Sequence, residues 1–580
     1  MRRRVAEPIR RIARSTRAFR ISGHGPLLVV LLLALAAALP LFANPGLLNT
    51  RGGGDSPFLL QRVQQLSAAL GDGHFPVRWM PDANYGYGYP FFHYYAPLSI
   101  YVAAFFRFLG ASYVVAIRFA QLAGFLLAAA ATYALARRWF HSAAAGVLAA
   151  AAYTLAPFHL VNVYARGDSL AEFWAMAFYP LVFLAAERLL TAAGSGRLPA
   201  AAFLALSYAG LMISHNISAL IFSPFLLLFL AVRLLRHPEP RRTLLLAAAA
   251  LAWGLALAAW FWLPALAETG LAQTGPVTSG YFHYAAHFRS ADLVQPALLF
   301  SYDVLDGAAF RMGLVQALLV IAGLLVLLLT AARLITKTGP GRGKGSPAAL
   351  TPTLALFVLF SLALATLMIT PLSRFLWDRV PLLPYTQFPW RFLSVQAFFG
   401  ALVAAALVRL PYRRWWLPPL LLLLLIAALG DLKPDYLPLR DDDITPARLA
   451  EYEWFSGNIG TTVSAEYLPH AVQPRPYSSA WLTRGERDSA RVLKGEAAVA
   501  LVERQATRQR WAVSSGEQGA TLLLPTLYWP GWQATLDGAS LPLQAAPGSG
   551  LITVDIPPGD HQLAIHLAAT PLRTAAEALS

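Results

Sequence analysis

The chain has 580 residues, 57% of them hydrophobic and only 13% charged, with a mean hydropathy of +0.51. Soluble proteins of this size carry about 25% charged residues, so an ordinary soluble enzyme is excluded, and the long apolar blocks exclude disorder. The 46 Lys/Arg against 30 Asp/Glu give a net charge of +16, and there is no cysteine to form a disulfide, a thiolate nucleophile or a Cys-ligated zinc site.

Crossing a hydrocarbon core of ~30 Å takes roughly 17 to 25 apolar residues. Taken in chain order, such spans fall at 26–43, 113–136, 142–158, 169–190, 199–213, 217–235, 243–266, 312–335, 351–370, 392–409 and 415–430. The first follows a basic stretch, 1–25, and lacks a small-residue cleavage site at Leu39-Pro40-Leu41-Phe42, so it reads as a signal anchor. Residues 99–109 are apolar but too short to cross. Positive-inside parity decides their place. With 99–109 lying flat as an interfacial helix, every basic loop falls on one side. Those loops are 1–25, 137–141, 187–198, 233–242, 333–344 and 409–414, which hold 23 of the Lys/Arg and only three acids. The +16 is then an orientation signal, and no nucleic-acid partner is expected. The expected fold is an α-helical polytopic membrane protein of eleven spans, N-terminus inside. Residues 26–430 form the transmembrane domain, with a first outer loop at 44–112.

The tail, 431–580, differs in composition. It holds 12 Lys/Arg and 17 Asp/Glu, and its short alternating apolar runs are separated by turns such as Asp537-Gly538 and Pro557-Pro558-Gly559-Asp560. That pattern predicts a C-terminal β-sandwich domain on the outer side.

Ionisable residues near membrane depth are costly and mark function. In the first outer loop, Asp55 stands on a glycine-rich stretch just beyond a span, a place suited to a general base meeting a lipid-borne substrate. Asp55-Ser56-Pro57 equally fits the cap of a helix at 57–70. Further along lie Asp82, His93 and a run of aromatics at 79–95, expected as an interfacial belt. His159, Arg166, Asp168 and Glu172 form a second cluster, with Asp168 and Glu172 four residues apart on one helical face. Arg166 matches a phosphate bidentately, or anchors to headgroups; Glu172 also fits a capping box. His215-Asn216 sits between two short spans, and Gln387-Phe388-Pro389-Trp390-Arg391 places an arginine at the outer start of another.

Four strings resemble a bacterial and archaeal membrane-protein family, the 6-pyruvoyl-tetrahydropterin synthase-related membrane domain. They are Trp79-x-Pro81-Asp82-x-Asn84-x-Gly86-Tyr87-Gly88-Tyr89-Pro90, Ser214–Leu220, Gln387–Arg391, and Gly460-Thr461-Thr462 with Glu466-Tyr467-Leu468-Pro469. The outer-loop acid after the first span and the flat helix before the second also resemble GT-C glycosyltransferases. The tail motif Tyr528-x-Pro530-Gly531-Trp532 resembles the C-terminal sandwich of lipid-linked-sugar transferases.

The GT-C resemblance implies transfer of a sugar from a polyprenyl-phosphate donor to a glycan, lipid or protein acceptor. The expected setting is the outer face of a bacterial cytoplasmic (inner) membrane. Asp55 would be the base, and Arg166, His215 and Arg391 would hold the departing lipid phosphate. Asp82, His93, Asn216 and Gln387 complete the candidates for phosphate or sugar. Asp168 and Glu172 would be the acidic pair for a divalent cation, Mg or Mn, if one takes part. A single Asp55 departs from the adjacent acidic pair of that pattern. The competing reading is a non-enzymatic polyprenyl-lipid or glycan transporter, or an assembly subunit, using the same cationic cavity.

Overall fold

The computed structural model describes residues 24–50, 56–167, 169–336, 350–462 and 464–580. In chain order its principal helices are α1 (Gly25–Ala38), α2 (Ser56–Gly71), α3 (Leu98–Phe108), α4 (Tyr113–Phe140), α5 (Ala143–Thr154), α6 (Pro157–Tyr164), α7 (Leu170–Thr191), α8 (Arg197–Ser214) and α9 (Asn216–Leu234). They continue as α10 (Pro240–Leu257), α11 (Ala259–Ala267), α12 (Leu314–Thr336), α13 (Pro352–Ile369), α14 (Leu393–Ala404), α15 (Arg413–Leu429), α16 (Pro446–Ser456) and α17 (Pro571–Leu579).

Each expected span coincides with a helix or a helix pair. Among the described residues, seven helices are long and apolar enough to cross a membrane, or nine if each bent pair is one span. The pairs are α5 with α6, bent by 43°, and α10 with α11, bent by 74°. The first bend falls before Pro157, whose missing N–H suits the first turn of a new helix. The remaining two expected spans meet α12 and α15; α15 has 17 residues and begins with Arg413-Arg414. Helix α3 is a separate 11-residue element, too short to cross.

The spans differ in depth. The α1 window is 28% buried, whereas α7 is 83% buried and Pro389–Arg409, which includes α14, is 94% buried. These two form the bundle centre, cemented by aromatics: Tyr179 stacks on Phe222 at 3.9 Å, and Phe183 meets Phe398 at 5.6 Å. Whatever stands in the first turns of α7 and α14 is therefore placed by the best-packed part of the molecule.

The tail joins the bundle through β1 (Leu47–Leu48) and β2 (Tyr436–Leu437), a two-stranded antiparallel ladder. The remaining strands form one connected antiparallel sheet of β3 (Arg491–Gln505), β4 (Arg508–Leu527), β5 (Trp532–Leu536), β6 (Ala539–Leu541), β7 (Gln544–Ala545), β8 (Leu551–Ile556) and β9 (Gly559–Leu567). The first half of β4 pairs with β9 and the second half with β8, while β3 runs along both. The two leaves thus share continuous strands that bulge where the register jumps at Gly495 and Gly519, both at positive φ. Asp537 and Gly538, also at positive φ, close the β5–β6 hairpin as the Asp-Gly pair favours.

The first loop and the tail fold as one body. The Trp79–Pro90 segment is no lipid-facing belt: Trp79, Tyr85 and Tyr89 are buried, and Trp79 meets Trp532 edge-on at 5.8 Å. A Cβ on Gly86 would come within 2.5 Å of the Trp481 ring, which explains a glycine there. At the centre of this junction is Glu453 of α16, fully buried. Its Oε1 accepts from Gln61 Nε2 (2.9 Å), Asn84 N (3.1 Å) and Gly460 N (2.7 Å), and its Oε2 from Tyr85 N (2.6 Å). Four donors from three segments converge on one carboxylate. Glu453→Gln, nearly isosteric, turns an NH2 group against one of those donors. It is expected to destabilise the protein by roughly 2 kcal/mol or more, read as a lower melting temperature of the detergent-solubilised chain.

Candidate functional site

Helix α6 ends at Tyr164, with Ala165 N and Arg166 N both donating to Val161 O (3.0 and 2.8 Å). Gly167 follows at φ +55, and a Cβ there would lie 2.5 Å from Ser56 Oγ and 2.6 Å from Thr50 Oγ1. Thr50 and Ser56, hydrogen-bonded at 2.7 Å, are the described residues on either side of 51–55 in the first outer loop, and Thr50 Oγ1 donates to Arg166 O (3.2 Å). Asp55 and Asp168 lie outside the described residues; their neighbours Ser56 and Gly167 are in contact.

From this turn Arg166 Nη1 reaches Asn162 Oδ1 (2.5 Å) and Glu172 Oε2 (2.6 Å). Glu172 is 2% exposed, in the first turn of α7. On its other side Arg391 Nε stands 3.6 Å from the same oxygen. Arg391 Nη1 donates to Thr386 O (2.8 Å) and to Gln387 Oε1 (3.0 Å). His215, also buried, is within electrostatic reach of Glu172, Arg166 and Arg391. It caps α9, with Nδ1 accepting from Ser218 N at 3.3 Å and lying 2.8 Å from Ser218 Oγ. Arg166, Glu172, His215 and Arg391, scattered over 226 residues, thus converge at the starts of α7, α9 and the α14 segment.

Aromatic rings shape the walls. Trp390 lies under the Arg166 guanidinium at 5.0 Å and is stacked between Phe310 (4.2 Å) and Phe388 (4.7 Å). Phe388 in turn faces Arg391 at 5.1 Å. The Gln387–Arg391 string is therefore a built platform: Gln387 at φ +65 redirects the chain, and its Nε2 donates to Val277 O (3.0 Å) of the overlying loop. Sequence reasoning missed Asn162, whose signal was its position one turn before Arg166, and Trp390, which reads as an interfacial marker.

The other candidates have different partners. Asn216 is exposed and bonds Ile217 N at 3.0 Å. His159 is buried among Phe125, Tyr153 and Phe173, its Nδ1 3.2 Å from Tyr153 O. Asp82 pairs with Arg487 and with Arg504 (3.7 Å) at the junction with the tail. His93 Nε2 lies 2.7 Å from Glu268 Oε2, and Arg573 of α17 binds that carboxylate at 2.8 Å. Asp82 and His93 thus tie the first loop to the tail.

A family model described as "6-pyruvoyl-tetrahydropterin synthase related domain; membrane protein" matches residues 92–436. The chain belongs to this family. The match contains α3 to α15 and every residue of the Arg166–Glu172–His215–Arg391 cluster. A comparison with curated proteins returns no match. Among solved structures, the chain is similar to the Archaeoglobus fulgidus oligosaccharyltransferase (16% identity, 76% of this chain and 57% of that one, TM-score 0.41). It is also similar to ArnT from Cupriavidus metallidurans bound to undecaprenyl phosphate (16%, 68% and 62%, TM-score 0.39). A third is the arabinosyltransferase EmbB from Mycobacterium smegmatis (12%, 94% and 63%, TM-score 0.34). The chain spans about three fifths of the length of these proteins.

The Glu268 pair has a pH consequence. Burial opposes its ionisation, but hydrogen bonds from His93 and Arg573 outweigh burial and hold its pKa down at about 2, against an ordinary 4.5. Burial holds the pKa of His93 below its ordinary value. A carboxyl with a depressed folded pKa stabilises above its unfolded value and loses that contribution as pH falls through the folded one. Wild type is therefore expected to resist proteolytic release of α17 better than Glu268→Gln above about pH 4.5. The gap should close as pH falls towards 2.

Proposed function

We propose that this family member is an integral-membrane glycosyltransferase that moves a sugar from a polyprenyl-phosphate donor to an acceptor hydroxyl or amide. The single observation carrying the reading is the convergence of two guanidinium groups on the buried Glu172 carboxylate, with the His215 imidazole within electrostatic reach, at the starts of α7, α9 and the α14 segment. A phosphate leaving group develops charge on oxygens that a guanidinium pair is shaped to meet, and pre-placed donors lower the barrier without reorganising. In this reading Glu172 holds Arg166 and Arg391 poised in the absence of the donor, and donor phosphate replaces it as their partner.

The transfer balances simply. The acceptor oxygen or nitrogen forms a bond to the anomeric carbon, the bond from that carbon to the phosphate oxygen breaks, and its electron pair stays on the polyprenyl phosphate. Asp55, joined to Ser56 beside Gly167, takes the acceptor proton. Trp390, stacked on Phe310 and Phe388, holds the Arg166 guanidinium over its ring. Glu172 fits a divalent cation poorly, since one of its oxygens already serves two cations, and no step here runs through a metal. Orientation follows the basic loops: with those inside, the cluster faces out, at the outer surface of a bacterial cytoplasmic membrane.

The non-enzymatic reading uses the same cluster to hold a lipid phosphate. The two separate in one experiment, on purified protein in nanodiscs with a panel of polyprenyl-phosphate hexoses. Arg166→Ala and Arg391→Ala are each expected to lower transfer by about a hundredfold and to weaken undecaprenyl-phosphate binding. Asp55→Asn is expected to abolish transfer while leaving that binding intact. Undiminished transfer by Asp55→Asn would sink the base assignment; lipid binding without transfer by wild type would favour the transporter.

A further inference from the structure

At the far end of α7 the same helix lines a second polar feature. Glu187 stands fifteen residues after Glu172, about 22 Å along the axis. Around it opens a cleft of about 950 Å³, bounded by the last turns of α4, α7 and α9 and by the first turns of α5 and α13. Four arginines line it, Arg137, Arg138, Arg188 and Arg233, with Glu187 as the one carboxylate among the described lining residues.

Arginines at helix ends on the inner side of a membrane need no ligand to explain them. Three observations go further. The arginines surround a concave space with a floor of buried Leu184, Leu354 and Trp139, an apolar base beneath a cationic rim. Two helices begin at this space, capped by Ser142 and Thr351, so their first-turn N–H groups add positive potential to it. And Glu187, 6% exposed, is already engaged by Arg233 (2.9 Å) and Trp139, so that among the described residues Arg137 and Arg188 have no carboxylate partner.

We propose that this cleft is a second binding site, for an anionic phosphate ester, its phosphate on the arginine rim. The site is separate from the Arg166 cluster and independent of the transferase reading. Both an anionic lipid headgroup and a free phosphate present the required chemistry.

The test uses the full chain in detergent, titrated with dioctanoyl-phosphatidylglycerol, dioctanoyl-phosphatidylcholine and inorganic phosphate. Wild type is expected to bind the phosphatidylglycerol saturably and to prefer it to the phosphatidylcholine. An R137Q/R188Q double variant should bind it about tenfold or more weakly, and R137K/R188K should recover part of the loss. If the double variant fails to assemble, Arg188→Gln alone carries the same comparison. Binding of phosphatidylglycerol without inorganic phosphate supports the site with a lipid source; equal binding of inorganic phosphate supports it with a free one. Equal affinity for phosphatidylcholine, or Gln variants that bind as wild type does, overturns the proposal.

Discussion

One ionic contact organises one end of the helical bundle: the buried Glu172 carboxylate, with Arg166 at 2.6 Å and Arg391 at 3.6 Å from one oxygen. A carboxylate on the central helix of a membrane bundle is costly alone, and so is a guanidinium. Each needs the other, which forces the α6–α7 turn and the Gln387–Arg391 segment to meet. Such a pair contributes little net stability, because desolvation offsets attraction. What it provides is placement: two guanidinium groups held at fixed positions beside the two most buried candidate spans among the described residues.

The turn that carries Arg166 is braced from outside the bundle. Thr50 and Ser56 press on Gly167, and the residues after Ser56 run in α2 to Gln61, which reaches Glu453 of the tail. The tail is thereby connected to the site through the first loop, and its polar anchors serve that connection. Glu453 gathers backbone donors from Asn84, Tyr85 and Gly460, while Asp82 pairs with Arg487 and Arg504. The glycine-rich and aromatic Trp79–Pro90 and Gly460–Thr462 segments are packing surfaces of this junction.

Much of this was legible in the sequence. Span positions follow from runs of apolar residues, and the tail's strands from alternation and turns such as Asp537-Gly538. Arg166, His215 and Arg391 were singled out because cations near membrane depth are expensive. Their convergence was not legible, because no local pattern records that residues 166 and 391 share a partner. The same limit hid the role of Glu453, which looks like any surface glutamate of an amphipathic helix. The aromatic run at 79–95 misled for a related reason: Trp and Tyr suit a membrane interface and a buried polar junction equally, and only the presence of Trp481, Trp529 and Trp532 from the distant tail decides between them.

The central claim is that Arg166 and Arg391 exchange Glu172 for a lipid phosphate. It is tested most directly by an experimental structure of the protein in nanodiscs with undecaprenyl phosphate. The account predicts phosphate oxygens within hydrogen-bond distance of both guanidinium groups, beside Trp390, with the Glu172 contact loosened. Phosphate bound elsewhere, with Arg166, Glu172 and Arg391 still closed on one another, would contradict it.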